Sequence, residues 1–126
     1  MIYLDTHVVL WLYAQRGKGL SERACQLIEC ANFVIISPMV LLELEYLNEI
    51  GRTTVGSTSI FEYLEDKIGL KICDKPFLHV INLAFKQTWT RDPFDRIITA
   101  QASIDQNTLI TKDAGILEHY KQAAWQ

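Results

Sequence analysis

The sequence predicts an α/β fold built on a largely parallel sheet, and three observations carry that expectation. Short apolar runs recur at Met1-Ile2-Tyr3-Leu4, Phe33-Val34-Ile35-Ile36, Leu70-Lys71-Ile72-Cys73 and Thr108-Leu109-Ile110-Thr111. Each is too short for a helix and reads as a buried strand. Longer segments with helical spacing separate them, and strict strand–helix alternation favours parallel strands covered on both faces. Finally, 126 residues suffice for one domain, 1–126, with a substantial core.

Taken in order, the first strand stops at Asp5, and Thr6 is expected to cap a helix through His7 to Ala14 that ends at Gly17 to Gly19. Ser21 caps a second helix, with Ala24, Leu27, Ile28 and Ala31 at helical spacing. After the second strand, Ser37 is a cap and Pro38 a first-turn residue, starting a helix that runs to about Ile50 and stops at Gly51. Ser57 to Asp66 forms the next, with Ile60, Phe61 and Leu64 inward. Beyond the third strand, Asp74 and Pro76 open a helix through Phe77, Val80, Ile81 and Ala84. The loop Thr88-Trp89-Thr90-Arg91 leads to Asp92-Pro93 and a helix to about Asp105. A short helix through Leu117 and a last strand at Ala123-Ala124-Trp125 follow the fourth strand.

Composition narrows the function classes. Apolar residues make up 49% and charged residues 21%, which suits a globular chain and not a disordered one. Cys25, Cys30 and Cys73 show no CxxC spacing and are odd in number, so they read as buried, reduced thiols of a cytoplasmic protein. No basic region precedes the opening apolar residues, so no signal peptide is expected. No apolar run approaches the roughly 20 residues of a membrane span. The net charge of −3 argues against a general nucleic-acid binder. It leaves a nuclease open, because clustered acids inflate the negative count and a divalent cation reverses the local sign.

Four acids stand out. Asp5 ends a central strand, where open α/β sheets place their ligands and where an uncompensated carboxylate is costly to bury. Its bland alternative is a turn or cap. Glu43 has Met39, Val40, Tyr46 and Leu47 as helical neighbours, which turns it inward while Glu45 drifts outward. An inward carboxylate needs a partner, either a metal ion or a distant arginine. Asp95 occupies the third position after the cap Asp92, so capping and a dipole-stabilised ligand are both consistent with it. Asp113 follows a strand as Asp5 does, and is either an N-cap or a member of the same cluster. Four carboxylates meeting at one sheet edge require a cation, and oxygen-only ligands select Mg²⁺ or Mn²⁺. His7, His79 and His119 are scattered and argue against zinc. Mg²⁺ sites of this kind act on phosphates.

With those residues placed, the chain resembles the PIN-domain ribonucleases, in particular VapC toxins of toxin–antitoxin pairs. The carrying motifs are Leu4-Asp5-Thr6-His7 with Leu10-Trp11, Ser37-Pro38 with Glu43, Arg91-Asp92-Pro93-Phe94-Asp95-Arg96 with Ala100-Gln101-Ala102, and Thr108-Leu109-Ile110-Thr111-Lys112-Asp113. The resemblance implies a PIN-like three-layer α/β/α sandwich around a central parallel sheet of four or five strands. It implies a Mg²⁺- or Mn²⁺-dependent endoribonuclease acting on single-stranded regions of RNA, with in-line attack by an activated water leaving a 5′-phosphate and a 3′-hydroxyl. It makes Asp5 and Asp95 the direct ligands, with Asp113 and Glu43 acting through water, and Thr6 or Thr111 steadying a ligand. Arg91 and Arg96 would grip RNA phosphates or else pair with nearby acids; Trp89 would stack on a base or pack under its loop. The implied partners are a VapB-type antitoxin and a second copy of the chain in a homodimer. Two departures stand out: Thr90 where relatives often carry His, and Ile98-Thr99 where they often read Leu-Ala.

Other functions fit less well. A phosphatase of the haloacid dehalogenase type needs a second Asp two residues after the first, and His7 stands there. No glycine-rich phosphate loop is present for an NTPase. A catalytically silent PIN-like binding module is the remaining alternative, although such modules usually lose an acid and all four persist here.

Overall fold

The computed structural model describes residues 1–15 and 18–126. Among them, five strands, β1 (Ile2–Leu4), β2 (Val34–Ile36), β3 (Lys71–Ile72), β4 (Thr108–Ile110) and β5 (Ala123–Ala124), form one parallel sheet in the order β3-β2-β1-β4-β5. The helices between them are α1 (Thr6–Ala14), α2 (Glu22–Cys30), α3 (Pro38–Glu49), α4 (Ser57–Ile68), α5 (Phe77–Ala84), α6 (Pro93–Ser103) and α7 (Ala114–His119). The strand order has a direct consequence. The chain steps from β1 outward to β2 and β3, then returns to β4 on the other side of β1. That reversal of direction beside β1 opens a crevice at the carboxyl ends of β1 and β4.

Burial explains the strands. Tyr3, Leu4, Ile36, Leu109 and Ile110 are all but inaccessible, and Val8, Val40, Leu44, Ile60, Leu64, Ile98 and Ile116 seal them from the helices. Each such aliphatic side chain contributes about 1.5–3 kcal/mol of transfer free energy. The edge strand β3 is only two residues long and exposed, as an edge that must resist further pairing should be.

Helix starts follow the expected chemistry with one exchange. Ser21, Ser37 and Asp92 cap α2, α3 and α6, accepting hydrogen bonds from Ala24 N, Met39 N and Phe94 N. For α1, Asp5 and not Thr6 is the N-cap; its Oδ1 accepts from Thr6 N at 2.8 Å, and Thr6 is the first helical residue. The hydroxyl of Thr6 is thereby released for other work. The expected stop at Gly17 lies outside the described residues; α1 closes at Ala14, with Gln15 N donating to Trp11 O. Helix α4 starts after Gly56, which has no side chain to cap it. Glu45 on α3 substitutes: its Oε1 accepts from Ser57 N at 2.6 Å and from Ser57 Oγ at 2.8 Å. These bonds hold its carboxyl below the usual range.

The cysteines differ from expectation. Cys73 is buried and its sulfur accepts from the Tyr3 hydroxyl at 3.0 Å, but Cys25 is half-buried and Cys30 exposed. An amphipathic α2 carrying only Ala24 as a buried residue leaves Cys30 on its outer side. Helix α6 ends at Ser103, two residues short of Asp105. Its Thr99 is inaccessible and the hydroxyl finds no hydrogen-bond partner among the described residues.

Two stability outcomes follow from local geometry. Gly69 ends α4 in the left-handed region, φ 67°, so Gly69→Ala should lower unfolding free energy by about 1 kcal/mol in urea titration. Thr99→Val keeps the shape and removes an unsatisfied hydroxyl, and should raise it by about 1 kcal/mol.

Candidate metal centre at the carboxyl edge of the sheet

The site begins with a register. Leu4 pairs with Ile110, and Asp5 N continues the ladder by donating to Ile110 O at 3.0 Å. Asp5 and Thr111 are therefore neighbours on adjacent parallel strands at the crevice. Thr111 Oγ1 donates to Asp5 Oδ2 at 2.7 Å, so both Asp5 oxygens accept a hydrogen bond. Asp5 is 5% exposed. Burial pushes its carboxyl above the usual range, while the bonds from Thr111 and Thr6 and the nearness of His7 pull it back.

Glu43 comes from the middle of α3. Thr6 Oγ1, freed from capping, donates to Glu43 Oε1 at 2.5 Å across 37 residues of sequence. Glu43 is half-buried, as the helical spacing of its apolar neighbours requires, and its carboxyl is also raised, chiefly by burial and next by Asp5 once Thr6 has opposed it. Asp95 sits in the first turn of α6, half-buried, and its carboxylate makes no hydrogen bond among the described residues. Its carboxyl is pushed up to about 7, first by burial and then by repulsion from Asp92, Asp5, Asp113 and Glu43. Asp113 caps α7, accepting from Ile116 N at 2.9 Å, and its own N–H is held by Thr111 Oγ1 at 3.0 Å.

All four acids line one cavity of about 390 Å³, together with His7, Trp11, Asp92 and Lys112. No arginine lines it among the described residues. Among those residues, too, no three His, Cys, Asp or Glu side chains already form a closed ligand set; the carboxylates share a wall without being drawn onto one point. The donor set is hard oxygen throughout, and carboxylates this crowded are relieved by protons or a divalent cation. The residues fit Mg²⁺ or Mn²⁺.

The family model described as PIN domain matches residues 2–122. The chain belongs to the PIN-domain family. Among solved structures, a VapBC-1 complex from nontypeable Haemophilus influenzae matches at 25% identity and TM-score 0.64, covering 100% of this chain and 97% of that one. VapBC2 from Rickettsia felis, bound to a promoter DNA fragment, matches at 18% identity and TM-score 0.67, covering 100% and 98%. A toxin–antitoxin complex from Klebsiella pneumoniae matches at 16% and 0.67, covering 98% and 96%. No curated protein sequence matches the chain.

Other residues of this PIN domain fall away from the acids. Arg96 donates from Nε and Nη2 to Ala84 O at 3.2 and 3.0 Å, and more weakly to Phe85 O, so its guanidinium caps the end of α5. Arg91 is exposed and shares with Arg96 a separate cavity lined by Ile81, Ala84, Phe85, Pro93 and Ile97. Neither pairs with Asp92. Trp89 packs under its loop, stacked on His119 with centroids 5.1 Å apart and planes 3° apart. Gly115 makes room for it: a Cβ there would lie 3.1 Å from the indole and 3.2 Å from Asp113 Oδ1. Thr90 Oγ1 accepts from Asp92 N, closing the turn before α6. Sequence reasoning missed Lys112, Trp11, His7 and Asp92 as lining residues. For His7 and Trp11 the helical spacing was a usable signal, since residues four apart share a face.

The raised acids give a pH dependence. Asp95 titrates near 7 when folded and near 4 when unfolded, so between those values the folded chain binds more protons and stability falls as pH rises. Asp5 and Glu43 act in the same direction. In chelator, the thermal midpoint of wild type minus that of Asp95→Asn should decline from about pH 4 to about pH 7 and level off above. A flat difference would contradict the crowding of these carboxyls.

Proposed function

We propose that this PIN domain is a Mg²⁺- or Mn²⁺-dependent endoribonuclease, the toxin of a toxin–antitoxin pair, acting in the cytoplasm on single-stranded regions of RNA. The observation that supports this most is the meeting of Asp5, Glu43, Asp95 and Asp113 in one arginine-free cavity at the topological switch point among the described residues. A bound divalent ion would supply activation of water and neutralisation of charge at the phosphodiester. The chain's own residues do the positioning. Thr111 and Thr6 fix both oxygens of Asp5, and Thr6 holds one oxygen of Glu43. Asp95 has a carboxylate with no hydrogen bond among the described residues, and Asp113 spends one oxygen on Ile116 N. Asp5 and Asp95 are the direct ligands in this reading, with Glu43 and Asp113 reaching the ion through water. The products are a 5′-phosphate and a 3′-hydroxyl. Arg91 is free to meet an RNA phosphate; Arg96 contributes by fixing α6.

The partners in this reading are a VapB-type antitoxin and a second copy of the chain. Leu42, Phe77, Leu78 and Phe85, exposed at 56, 69, 72 and 65%, supply apolar surface for such contacts. No helix among the described residues is long and apolar enough to cross a membrane.

The test is cleavage of labelled single-stranded RNA. Wild type should cut in Mg²⁺ and stop in EDTA, and Asp5→Asn, Asp95→Asn and Glu43→Gln should each lose about 10²-fold or more. Cutting that survives chelation or Asp5→Asn overturns the proposal. A wild type that binds Mg²⁺ but cuts no RNA instead favours the silent binding module.

In a second measurement, Thr111→Val should weaken Mn²⁺ binding at pH 7, because it removes a donor that favours the charged form of Asp5. Unchanged affinity by calorimetry would show that the Thr111 hydroxyl does not serve the ion.

A further inference from the structure

Lys112 is in an unusual position. It lines a cavity shared with five carboxylates, those of Asp5, Glu43, Asp92, Asp95 and Asp113, and is the one Lys or Arg among its described lining residues. Yet no ion pair of Lys112 is present among the described residues. Its ammonium instead lies over two indoles, 5.8 Å from the Trp11 ring centre and 5.9 Å from that of Trp125. Cation–π attraction holds it there. The neighbouring Asp113, which would be the obvious ionic partner, is turned to Ile116 N.

Trp11 is itself held from behind. Its ring packs at 5.6 Å and 57° on Trp125, which is 8% exposed, and His7, one helical turn earlier on α1, lies 6.2 Å away. Trp11 remains half-exposed, His7 and Lys112 are exposed, and all three line the acidic cavity. The cavity thus has an anionic wall and, continuous with it, an aromatic wall topped by a cation that makes no ion pair among the described residues.

Resting on the nuclease reading of the acids, we propose that His7, Trp11 and Lys112 form the subsite for the nucleotide next to the scissile phosphate of a single-stranded RNA. Lys112 takes the phosphate flanking the cleaved one, and the base lies against Trp11 and His7. A polyanion approaching a cluster of carboxylates needs an anchor outside the ion site, and a lysine held away from those carboxylates provides one. An aromatic face beside a cation is the combination that holds unpaired nucleotides without reading their sequence. The aromatic wall and the acids line one continuous cavity of about 390 Å³.

The experiment measures binding of a fluorescein-labelled single-stranded oligoribonucleotide by anisotropy, in Ca²⁺, over a range of salt. Lys112→Gln should weaken binding about 10-fold at low salt and reduce the slope of log Kd against log salt by roughly 0.7, the value for one lost phosphate contact on a single strand. Lys112→Arg should restore both. Trp11→Leu should weaken binding about 10-fold with the slope unchanged. Trp11→Phe, which keeps an aromatic face over Trp125, should fall between, and retains the test if Trp11→Leu does not fold. Lys86→Gln, in the exposed turn after α5, controls for loss of one positive charge anywhere. Mn²⁺ affinity, read by calorimetry, should be the same in all variants.

Unchanged Kd and slope in Lys112→Gln and Trp11→Phe overturn the proposal. So does a loss of Mn²⁺ affinity that accounts for the weaker binding, which would make Lys112 part of the ion site alone. The two readings fail separately. RNA held on this wall but never cut in Mg²⁺ removes the nuclease reading and leaves a wall that binds single strands with no scissile phosphate beside it. RNA cut normally by variants with intact binding removes the subsite and leaves the nuclease.

Discussion

The parallel ladder between β1 and β4 is the constraint on which the rest of the molecule depends. Two strands from opposite ends of the chain are held in a register that extends one residue past β1, through Asp5 N to Ile110 O. That extra bond puts a carboxylate at the switch point and a threonine hydroxyl beside it, before any helix is considered. Slipping the register by one residue would turn Thr111 to the other side of the sheet. Asp5 would then be a buried charge with half its hydrogen bonds gone, and the buried core of Tyr3, Leu4, Leu109 and Ile110 would be inverted with it. Hydrophobic pattern and site geometry therefore impose the same pairing.

Around that ladder the helices act as carriers. Helix α1 starts on Asp5 itself, so the residue that ends the strand also fixes where the helix begins. Because Asp5 takes the capping position, Thr6 can reach Glu43, and one hydrogen bond ties α1 to α3 at the site. A second tie between helices, Glu45 to Ser57, lies two residues further along α3 and points away to α4. Neighbouring acids on one helix thus do different jobs. One is half-buried against the crevice with a raised carboxyl, and the other is a lowered carboxylate that completes the start of the next helix.

How much of this was legible in the sequence depends on the range of the interaction. The order of strands and helices was readable because apolar runs, caps and prolines act locally, and all four acids could be singled out from what flanks them. The inward turn of Glu43 followed from helical periodicity alone. Long-range partnerships were not readable. Nothing in a linear pattern says that Arg96 will spend its guanidinium on the carbonyls of Ala84 and Phe85 instead of facing an anion, or that Lys112 will rest on Trp11 and Trp125. The exchange of caps between Asp5 and Thr6 was missed for a related reason. Both residues are competent caps, and the choice is made by β4, more than a hundred residues away.

The stack of Trp89 on His119, seated in the space left by Gly115, has a mechanical meaning. It fastens the segment leading into Asp92 to the short helix that Asp113 begins. Two of the anionic walls of the cavity are therefore buckled together from outside, by a pair of flat rings that never enter it. The tie lies at the periphery, and the exposed imidazole is its outer half.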